Sequence, residues 1–439
     1  MSIPLREFGK TGVKISALGL GGHHLGGAKD EKTAIEIVHR ALGGGITFYD
    51  NAWEYYRGKT ESWLGLGLKG RRDKAFITRN QVWTVMNDNN PKIGPEISRR
   101  GFLKGAAIAG VSAVIPAEKI PTAVETSNES PLGGFQAQKR PLGRTGLECS
   151  ILGMGGFHLG TVADQAEVNN MVAKAIGHGI NIFDNAWEFH WGLSEEKLGI
   201  ALKGKRENVI VMSAVRTHGP NQDVAMRMLD ASLTRLQTDH PGVWQIHEVI
   251  YHNDPELIYA RDSVLEALTR AKQQGKVRFV GFNGHKHPAI NLEMLNRGYA
   301  FDVIQMALNP LDPGFRSFEN NVLPIANQRG IAVLGMKSMG GSGEIISKGA
   351  FTPSEALSYA MSLPVATTIS GIDSMGVLDQ NLAILRDFRP LSTDQMQALR
   401  EHGKQFNDGR YELYKSTLKY GSDLGRGQHG YPSAAELPS

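Results

Sequence analysis

The feature that most constrains this chain is an internal repeat. Residues 6–73 align without a gap with residues 140–207, at a constant offset of 134, and nearly half of the aligned positions are identical. The first copy contains GKTGVKISALGLGGHHLG and the second GRTGLECSILGMGGFHLG. The first copy ends near residue 80, whereas the second continues to about residue 405. The repeat therefore consists of one partial and one complete copy of a single fold, and it does not indicate a solenoid.

Between the copies, residues 98–117 have the sequence SRRGFLKGAAIAGVSAVIPA. Two arginines, Phe-Leu-Lys and a weakly apolar run of small residues are typical of a twin-arginine export signal. The alternative is a surface helix that happens to carry the two arginines. Such signals act at an N-terminus, so the hypothesis is that Met86 begins an exported protein and that residues 1–85 are the remnant of a duplicated neighbour.

Four segments are predicted from this organisation. Residues 1–85 are the partial repeat, and residues 86–138 are the signal segment followed by a polar linker rich in Pro, Ser and Gly. Residues 139–418 are the complete copy, and residues 419–439 are expected to be an irregular tail. The expected location is the cytoplasm for the chain as written, and the periplasm if translation starts at the internal methionine.

Composition excludes several classes of function. The net charge is only +4 over 439 residues, and no basic block indicates nucleic acid. The single cysteine, Cys149, excludes an intramolecular disulfide and a zinc cage, and no metal site is predicted. No apolar run reaches the roughly 20 residues of a membrane helix, so no stable membrane span is expected.

In the complete copy, apolar runs alternate with segments of helical period, as expected for an α/β protein. The predicted strands are 149–155, 180–186, 208–215, 242–249, 277–284, 302–308, 331–338 and 365–372. The predicted helices are 164–178, 194–203, 222–236, 263–274, 287–297, 319–329, 353–362 and 376–387. The strands are apolar on both faces, as a buried parallel sheet requires. Eight such units favour a closed (β/α)₈ barrel, here preceded by a partial duplicate of its first units.

Polar residues interrupt the apolar runs near the ends of the predicted strands, where a (β/α)₈ barrel carries its functional groups. Any one of them could be a satisfied core residue, but several converging on one rim indicate a site. They are Asp184, Asn185, His247, Glu248, Asn283, Gln305, Asn309, Lys337, Ser338, Ser370 and Asp373.

Several of these motifs together resemble the aldo-keto reductase family. They are GRTGLECSILGMGG, FDNAWE, LQTDH, VWQIHEV, GKVRFVGFNGHK and the Gln-Asn pair at 380–381. The resemblance spans about 139–405, and about 5–80 a second time. It implies a (β/α)₈ barrel that reduces a small aldehyde or ketone with a nicotinamide cofactor, usually NADPH.

The resemblance also implies a catalytic aspartate, tyrosine, lysine and histidine. Asp184 and His247 match two of these positions, but the tyrosine position is Phe189 and the lysine position is Ala214. His190 is considered as a replacement proton donor, against the alternative that it is an exposed loop residue. In the partial copy Asp50 and Tyr55 are in register, and a further alternative is that this copy delivers Tyr55 to the barrel.

The family's cofactor contacts match this chain more completely. The resemblance implies that Asn283 and Gln305 meet the nicotinamide carboxamide and that Gln380 and Asn381 contact the adenine. The loop MKSMGGSGE offers its backbone N–H groups to the pyrophosphate through the residues Lys337, Ser338, Gly340 and Gly341. No cation for a 2′-phosphate is evident near Asp373, which leaves both NADPH and NADH open.

The resulting expectation is an aldo-keto reductase-like oxidoreductase with an incomplete set of catalytic residues. Two alternatives are kept: a cofactor-binding pseudoenzyme or regulatory barrel without turnover, and a decayed fusion with no selected function. If translation starts at Met86, the twin-arginine export machinery is an expected partner.

The position of the natural N-terminus tests the fusion hypothesis. We expect the protein from its native cell to begin at Met86, or after the signal, because a twin-arginine signal must be terminal to act. Terminal peptide mapping by mass spectrometry of cytosolic and periplasmic fractions measures this. An intact Met1 with no shorter form would contradict the hypothesis.

Overall fold

The computed structural model describes residues 3–9, 11–51, 59–79, 134–217, 221–417 and 420–429. The chain divides into two compact units, Met1–Ala123 and Val124–Ser439. Tyr55, the twin-arginine pattern and most of the predicted linker lie outside the described residues.

The first unit contains a hairpin and a small parallel sheet. Strand β1 (Leu5–Glu7) pairs with β2 (Lys14–Ser16) in antiparallel orientation. Strands β3 (Gly19–Gly21), β4 (Phe48–Asn51) and β5 (Phe76–Arg79) form a parallel sheet. Its described helices are Gly22–Gly26, Glu31–Gly43 and Lys59–Gly67. They bury a core that includes Ala34, Val38, Tyr49, Trp63, Leu64 and Leu68.

The second unit begins with the same arrangement. A hairpin of β6 (Lys139–Pro141) and β7 (Glu148–Ser150) pairs Arg140 with Cys149, as β1 and β2 pair Arg6 with Ile15. The next two strands pair Met154 with Phe183, as β3 and β4 pair Leu20 with Tyr49. Every one of these residues lies 134 positions from its counterpart, so the two sequence copies share one strand register.

The predicted (β/α)₈ barrel is confirmed. Eight parallel strands close on themselves, with β15 hydrogen-bonded to β8. They are β8 (Leu152–Gly155), β9 (Ile182–Asp184), β10 (Ile210–Val215), β11 (Val243–Ile246), β12 (Phe279–Gly284), β13 (Val303–Ala307), β14 (Ala332–Met336) and β15 (Thr367–Gly371). The predicted strand 149–155 is split, because its first residues belong to the hairpin and only the rest to the barrel.

Helices alternate with the barrel strands, and polar side chains fix where many of them begin. Asp164, Asn221, Ser263, Thr352 and Ser374 each accept a hydrogen bond from an N–H of the first helical turn. The helices of this unit are Gly156–Thr161, Gln165–Gly177, Leu193–Ala201, Gln222–Leu236, Asp254–Ile258, Val264–Gln273, Pro288–Asn296, Phe318–Asn321, Leu323–Gln328, Glu344–Ser347, Pro353–Ser362, Met375–Asp387, Thr393–Gly403, Leu413–Ser416 and Asp423–Gln428. In the part of the chain that the structure describes, none is long and apolar enough to cross a membrane.

The hairpin closes the N-terminal end of the barrel. Leu142 and Cys149 share one buried cluster with Ile182, Met212 and Leu334 from the barrel strands. An apolar cluster therefore fills the barrel at the end that the hairpin covers.

Two features near the predicted boundaries were not expected from the sequence. Residues 134–138, expected to be linker, are fastened to the barrel. The Ala137 backbone N–H donates to the His178 carbonyl and the Gln136 side-chain amide donates to the Gly177 carbonyl, each over 2.8 Å. The tail, expected to be irregular, contains the helix Asp423–Gln428, which Ser422 caps. A glycine-rich tail can be ordered when the barrel supplies polar partners for it.

Candidate active site

Basic side chains surround the C-terminal mouth of the barrel, because a basic residue directly follows each of four strands. Arg216 follows β10, His247 follows β11, His285 follows β12 and Lys337 follows β14. Sequence analysis identified only His247 and Lys337. The other two were missed because their partners are distant in sequence.

Asp184 ends β9 at the centre of this mouth. Its carboxylate accepts a hydrogen bond of 2.9 Å from the Gln305 side-chain amide, which crosses the mouth from β13. Burial raises the pKa of Asp184 to about 6, although the Gln305 hydrogen bond and the charge of Lys337 work in the opposite direction. Two predicted site residues, one catalytic and one cofactor-binding, are thus brought together.

Phe189 occupies the place where the resemblance requires a tyrosine. Its ring lies edge-on to the His247 ring, with centroids 5.3 Å apart. Ala214, at the lysine position, is buried near the end of β10. The predicted histidine is therefore in place beside a ring that has no proton to donate.

His190 is held by the backbone of a neighbouring helix. Its Nε2 lies 2.7 Å from the carbonyl oxygen of Phe157, so this nitrogen donates its hydrogen there. The residue has a φ of 50°, in the left-handed region. Its role as a proton donor stays a prediction that this hydrogen bond does not support.

A cluster of charged residues that sequence analysis did not identify lies beside His247. The Arg216 guanidinium has no solvent exposure, donates to the Glu248 carboxylate, and lies 3.8 Å from the Glu188 carboxylate. Glu188 is in turn 3.4 Å from His247 Nε2, and Glu248 is 3.6 Å from His285 Nε2. The signal available in the sequence was period-two alternation, which places residue 216 on the same strand face as residue 214.

The electrostatics of this cluster are dominated by its arginine. Burial disfavours the charge of Arg216, but the carboxylates of Glu248 and Glu188 outweigh it and raise its pKa. Burial likewise disfavours the charge of Glu248, but Arg216 and the two histidines hold its pKa well below the usual range. Burial lowers the pKa of His285 to about 4, so this ring is neutral at physiological pH.

Glu188, His247 and Glu248 also offer three ligand atoms within 4.8 Å of one another, a spacing that suits a metal ion. The Arg216 guanidinium already supplies the positive charge between the two carboxylates. A metal ion would have to share that space with a buried cation. The donor set therefore fits the arginine better than a metal.

The predicted cofactor residues differ in how their side chains are used. Asn283 accepts a hydrogen bond of 2.7 Å from the Glu248 N–H and donates one of 3.1 Å to Gln245. Gln305 uses its amide nitrogen on Asp184, whereas its buried oxygen has no hydrogen-bond partner among the described residues. Of the two residues predicted to contact the adenine, Gln380 is exposed, and Asn381 is buried and donates to the Ser370 hydroxyl over 2.8 Å.

The predicted pyrophosphate loop is bent as its glycines suggested. Lys337 and Gly340 have φ values of 57° and 86°, and Ser338 is buried. The Lys337 ammonium donates a hydrogen bond of 3.2 Å to the Tyr420 hydroxyl. That hydroxyl is close to Gly341, because a Cβ built there would be only 2.5 Å from it. The tail therefore covers the loop.

The rest of the tail is fastened to the charged cluster. The Ser422 N–H donates to the Glu248 carboxylate over 3.2 Å, and His429 Nε2 lies 2.7 Å from the Asp254 carboxylate. Gly425 is so close to Arg216 that a Cβ there would lie 1.4 Å from Nη2. Only a glycine fits between this guanidinium and the tail helix.

The partial copy holds its predicted aspartate in a corresponding place. Asp50 lies in β4, in the register position that Asp184 has in β9, and accepts a hydrogen bond of 3.0 Å from Thr78. Tyr55 lies outside the described residues, so its delivery to the barrel stays a prediction.

Comparison of the sequence with known protein families agrees with the barrel fold. The sequence profile of the aldo/keto reductase family matches residues 17–100 and 151–348. Those ranges make up more than half of the chain and cover parts of both copies. The chain therefore belongs to the aldo/keto reductase family, a family of oxidoreductases.

Individual relatives are distant. L-galactose dehydrogenase of Arabidopsis thaliana is 32% identical over 155 residues, which are 33% of this chain and 48% of that protein. The uncharacterized oxidoreductase YqkF of Bacillus subtilis is 23% identical over 323 residues, which are 64% of this chain and 99% of that protein. The chain thus spans about half the length of the plant enzyme and nearly all of the bacterial one.

Among solved structures, the holo form of an aldo-keto reductase from Bacillus halodurans superposes with a TM-score of 0.53. The identity is 24%, and the match covers 63% of this chain and 100% of that one. At this identity the likeness shows the fold.

The raised pKa of Asp184 predicts a pH-dependent cost to stability. Its folded-state pKa of about 6 lies above its ordinary value of 3.8, so holding the charged form costs stability. The cost grows as the pH rises from about 4 to about 6. Asp184→Asn should raise the free energy of unfolding at pH 8 by up to about 3 kcal/mol, and by less at pH 4, in urea titrations.

Asp387→Asn is the control, for which the expected change in the free energy of unfolding has the opposite sign. The exposed Asp387 carboxyl has its pKa lowered by the Arg386 guanidinium, so its contribution to stability is present above its unfolded-state pKa. This substitution should therefore lower stability slightly at pH 8. An Asp184→Asn protein that is less stable than the parent at pH 8 would contradict the assignment.

Proposed function

We propose that the barrel binds a reduced nicotinamide cofactor and reduces a small aldehyde or ketone to the alcohol. The observation that carries this proposal is the buried side-chain oxygen of Gln305, which has no hydrogen-bond partner in the described part of the chain. A buried polar atom left unpaired costs free energy. The Gln305 oxygen lies beside Asp184, and it can accept a hydrogen bond from the N–H₂ group of a carboxamide.

The residues of the mouth fit such a cofactor at its nicotinamide end. Gln305 would accept from the carboxamide while it keeps its bond to Asp184, and Asn283 would line the same pocket. When bound, the reduced nicotinamide supplies a hydride. His247, beside Phe189, would orient the carbonyl oxygen, and the buried surroundings would exclude water from the reacting carbon.

At the phosphate end, the loop after β14 would hold the pyrophosphate. Lys337 would supply charge, and Ser338, Gly340 and Gly341 would supply backbone N–H groups. Glu344, whose carboxylate accepts from the Ser342 N–H over 2.7 Å, adds a negative charge to this loop. Because the cation that would select a 2′-phosphate is not evident, the proposal covers both NADPH and NADH.

The second candidate is a barrel that binds the cofactor without turnover. Phe189 and Ala214 favour it, since together they remove the family's tyrosine donor and the lysine that activates it. The two candidates share the same binding site and differ only in proton transfer.

Titration of the full chain with NADPH and with NADH separates these candidates from a barrel that binds neither. Trp187 and Trp244 are in or beside the barrel core and should report binding by fluorescence. We expect micromolar affinity for one cofactor, together with slow cofactor oxidation in the presence of 9,10-phenanthrenequinone or methylglyoxal. Binding without oxidation favours the pseudoenzyme.

The double variant Phe189→Tyr with Ala214→Lys is the positive control. It should increase turnover by about 10²-fold or more, because a positioned proton donor contributes that much. Absence of binding to either cofactor by the folded parent would refute both candidates.

The tail makes a separate prediction about cofactor affinity. Tyr420 covers Gly341 and engages Lys337, so cofactor must displace it to reach the loop. Tyr420→Ala should lower the Kd for the cofactor by at least about threefold, because closed conformers reduce apparent affinity. Fluorescence titration measures this.

Tyr299→Ala is the matched control. Its hydroxyl meets Thr269 at 3.2 Å near the start of β13, at the far end of the barrel, and its loss should leave the Kd unchanged. A higher Kd for Tyr420→Ala would show that the Tyr420 ring holds the cofactor instead of covering its loop.

A further inference from the structure

Two basic side chains on the rim of the mouth take no part in the site described above. Lys286 is half-buried in the loop after β12, and Arg316 is exposed in the loop after β13, the neighbouring strand of the barrel. The Lys286 ammonium donates a hydrogen bond to the Thr417 carbonyl, and the Arg316 guanidinium donates one to the Lys415 carbonyl. Both side chains, called the rim cations below, therefore hold the same short segment of the tail.

The rim cations are bound only to neutral acceptors. Among the described residues, neither side chain forms an ion pair with a carboxylate. An ammonium and a guanidinium each carry several N–H groups, so most of these donors have no acceptor in the described part of the chain. Solvent reaches both side chains, and a ligand can therefore take up the remaining N–H groups.

Other charges lie close to Lys286, and most of them are positive. Burial lowers the pKa of Lys286 to about 8, and the charges of Arg316 and Arg426 act in the same direction. Glu248 is the carboxylate that opposes them, and it is itself held by the Arg216 guanidinium. The basic groups on this side of the mouth are thus close enough to repel one another, and a bound anion would relieve that repulsion.

Two further carboxylates lie beside the tail segment, but they are used elsewhere. Asp312 and Glu412 are both paired with the buried Lys415 ammonium, over 2.7 and 2.8 Å. Neither of them forms an ion pair with Arg316 in the described part of the chain. An external anion therefore has no protein carboxylate to displace from either rim cation.

The groups around Arg316 add to the basic character of this rim. Burial and then the charges of Arg316 and His252 lower the pKa of His287, the residue after Lys286. The rings of His252 and His287 are 5.8 Å apart. His287 also caps the helix Pro288–Asn296, whose first turn contains no acidic residue, so the positive end of the helix dipole lies at the same rim.

We propose that Lys286 and Arg316 bind a phosphate group of the carbonyl substrate, so that the barrel reduces a small phosphorylated aldehyde or ketone. This inference rests on the proposed function, because it names the substrate class of that reaction. A phosphate monoester has a charge of about −1.5 to −2 at neutral pH and three acceptor oxygens, which suits two cations with unused N–H groups. The planar fork of a guanidinium binds such oxygens in pairs.

The rim cations are on the side of the mouth where the proposed reacting carbonyl would lie. Lys286 follows His285, whose Nε2 is 3.6 Å from the Glu248 carboxylate, and Glu248 follows His247. A substrate whose carbonyl oxygen is oriented by His247 could therefore extend toward Lys286 and Arg316. The loop proposed for the pyrophosphate follows β14 and is separate from these two residues.

The cofactor is the other source of a phosphate group, through the 2′-phosphate of NADPH. The two sources predict different effects. A site for the substrate changes the preference between phosphorylated and unphosphorylated carbonyl compounds, whereas a site for the cofactor changes the preference between NADPH and NADH.

Equilibrium dialysis of the full chain with inorganic phosphate, without cofactor, tests the anion site by itself. The double variant Lys286→Gln with Arg316→Gln should bind phosphate at least about tenfold more weakly than the parent, because both charge-assisted contacts are lost. Lys276→Gln is the matched control, since Lys276 is already paired with Asp230 over 2.5 Å, and it should bind phosphate like the parent. No binding by the parent, or equal binding by the double variant, would overturn the proposal.

Kinetics test the substrate class. The parent should have a kcat/KM for D-glyceraldehyde 3-phosphate at least about tenfold above that for D-glyceraldehyde, and the double variant should lose this ratio through a higher KM. A variant that only loosened the tail would lower both values alike and leave the ratio unchanged, which would overturn the proposal. Lys286→Arg keeps the charge and should keep the ratio above that of the double variant.

The remaining outcomes separate the inference from the proposed function. A lower affinity of the double variant for NADPH but not for NADH, with an unchanged substrate ratio, would assign the phosphate to the cofactor and overturn the inference. A parent that reduces D-glyceraldehyde without preferring its phosphate would also overturn the inference and leave the proposed function intact. A parent that binds inorganic phosphate through Lys286 and Arg316 but binds neither cofactor would refute the proposed function, and with it the substrate assignment.

Discussion

The mouth of this barrel is organised around a guanidinium that no water reaches. Arg216 follows a wholly buried strand, and its charge is tolerated because Glu248 and Glu188 come from the two flanking loops to meet it. Breaking such a buried group of charges by removing one partner is far more costly than its net contribution suggests. The loops after β9 and β11, which carry Phe189 and His247, are therefore both held to the same cation.

The same cation also orders a part of the chain that is distant in sequence. Tail residues 420–429 pack over the mouth because Ser422 finds a carboxylate there and Gly425 fits against the guanidinium. The two halves of the site differ as a result. The proposed nicotinamide end keeps an unused acceptor on Gln305, whereas the proposed phosphate loop is engaged by Tyr420.

The sequence was sufficient to predict the barrel but not the contacts between side chains at its mouth. The alternation of apolar strands and helical segments predicts eight units, because local periodicity decides local structure. The resemblance named Asp184 and Gln305, which the structure brings together, and His247, which packs against Phe189. It could not supply Glu188, Arg216 or Tyr420, since each has its role through partners that the fold alone brings together. The tail was misjudged because its glycines suggested irregularity when one of them is required for packing.

The close approach of Gly425 to Arg216 has a consequence for how this gene can vary. A side chain at 425 would push the guanidinium away from its carboxylates, so a missense change there acts on residues more than 200 positions upstream. A nonsense codon shortly before it would leave all eight barrel strands intact and still remove one wall of the mouth. Truncation before this residue therefore alters the mouth of the barrel without removing any of its strands.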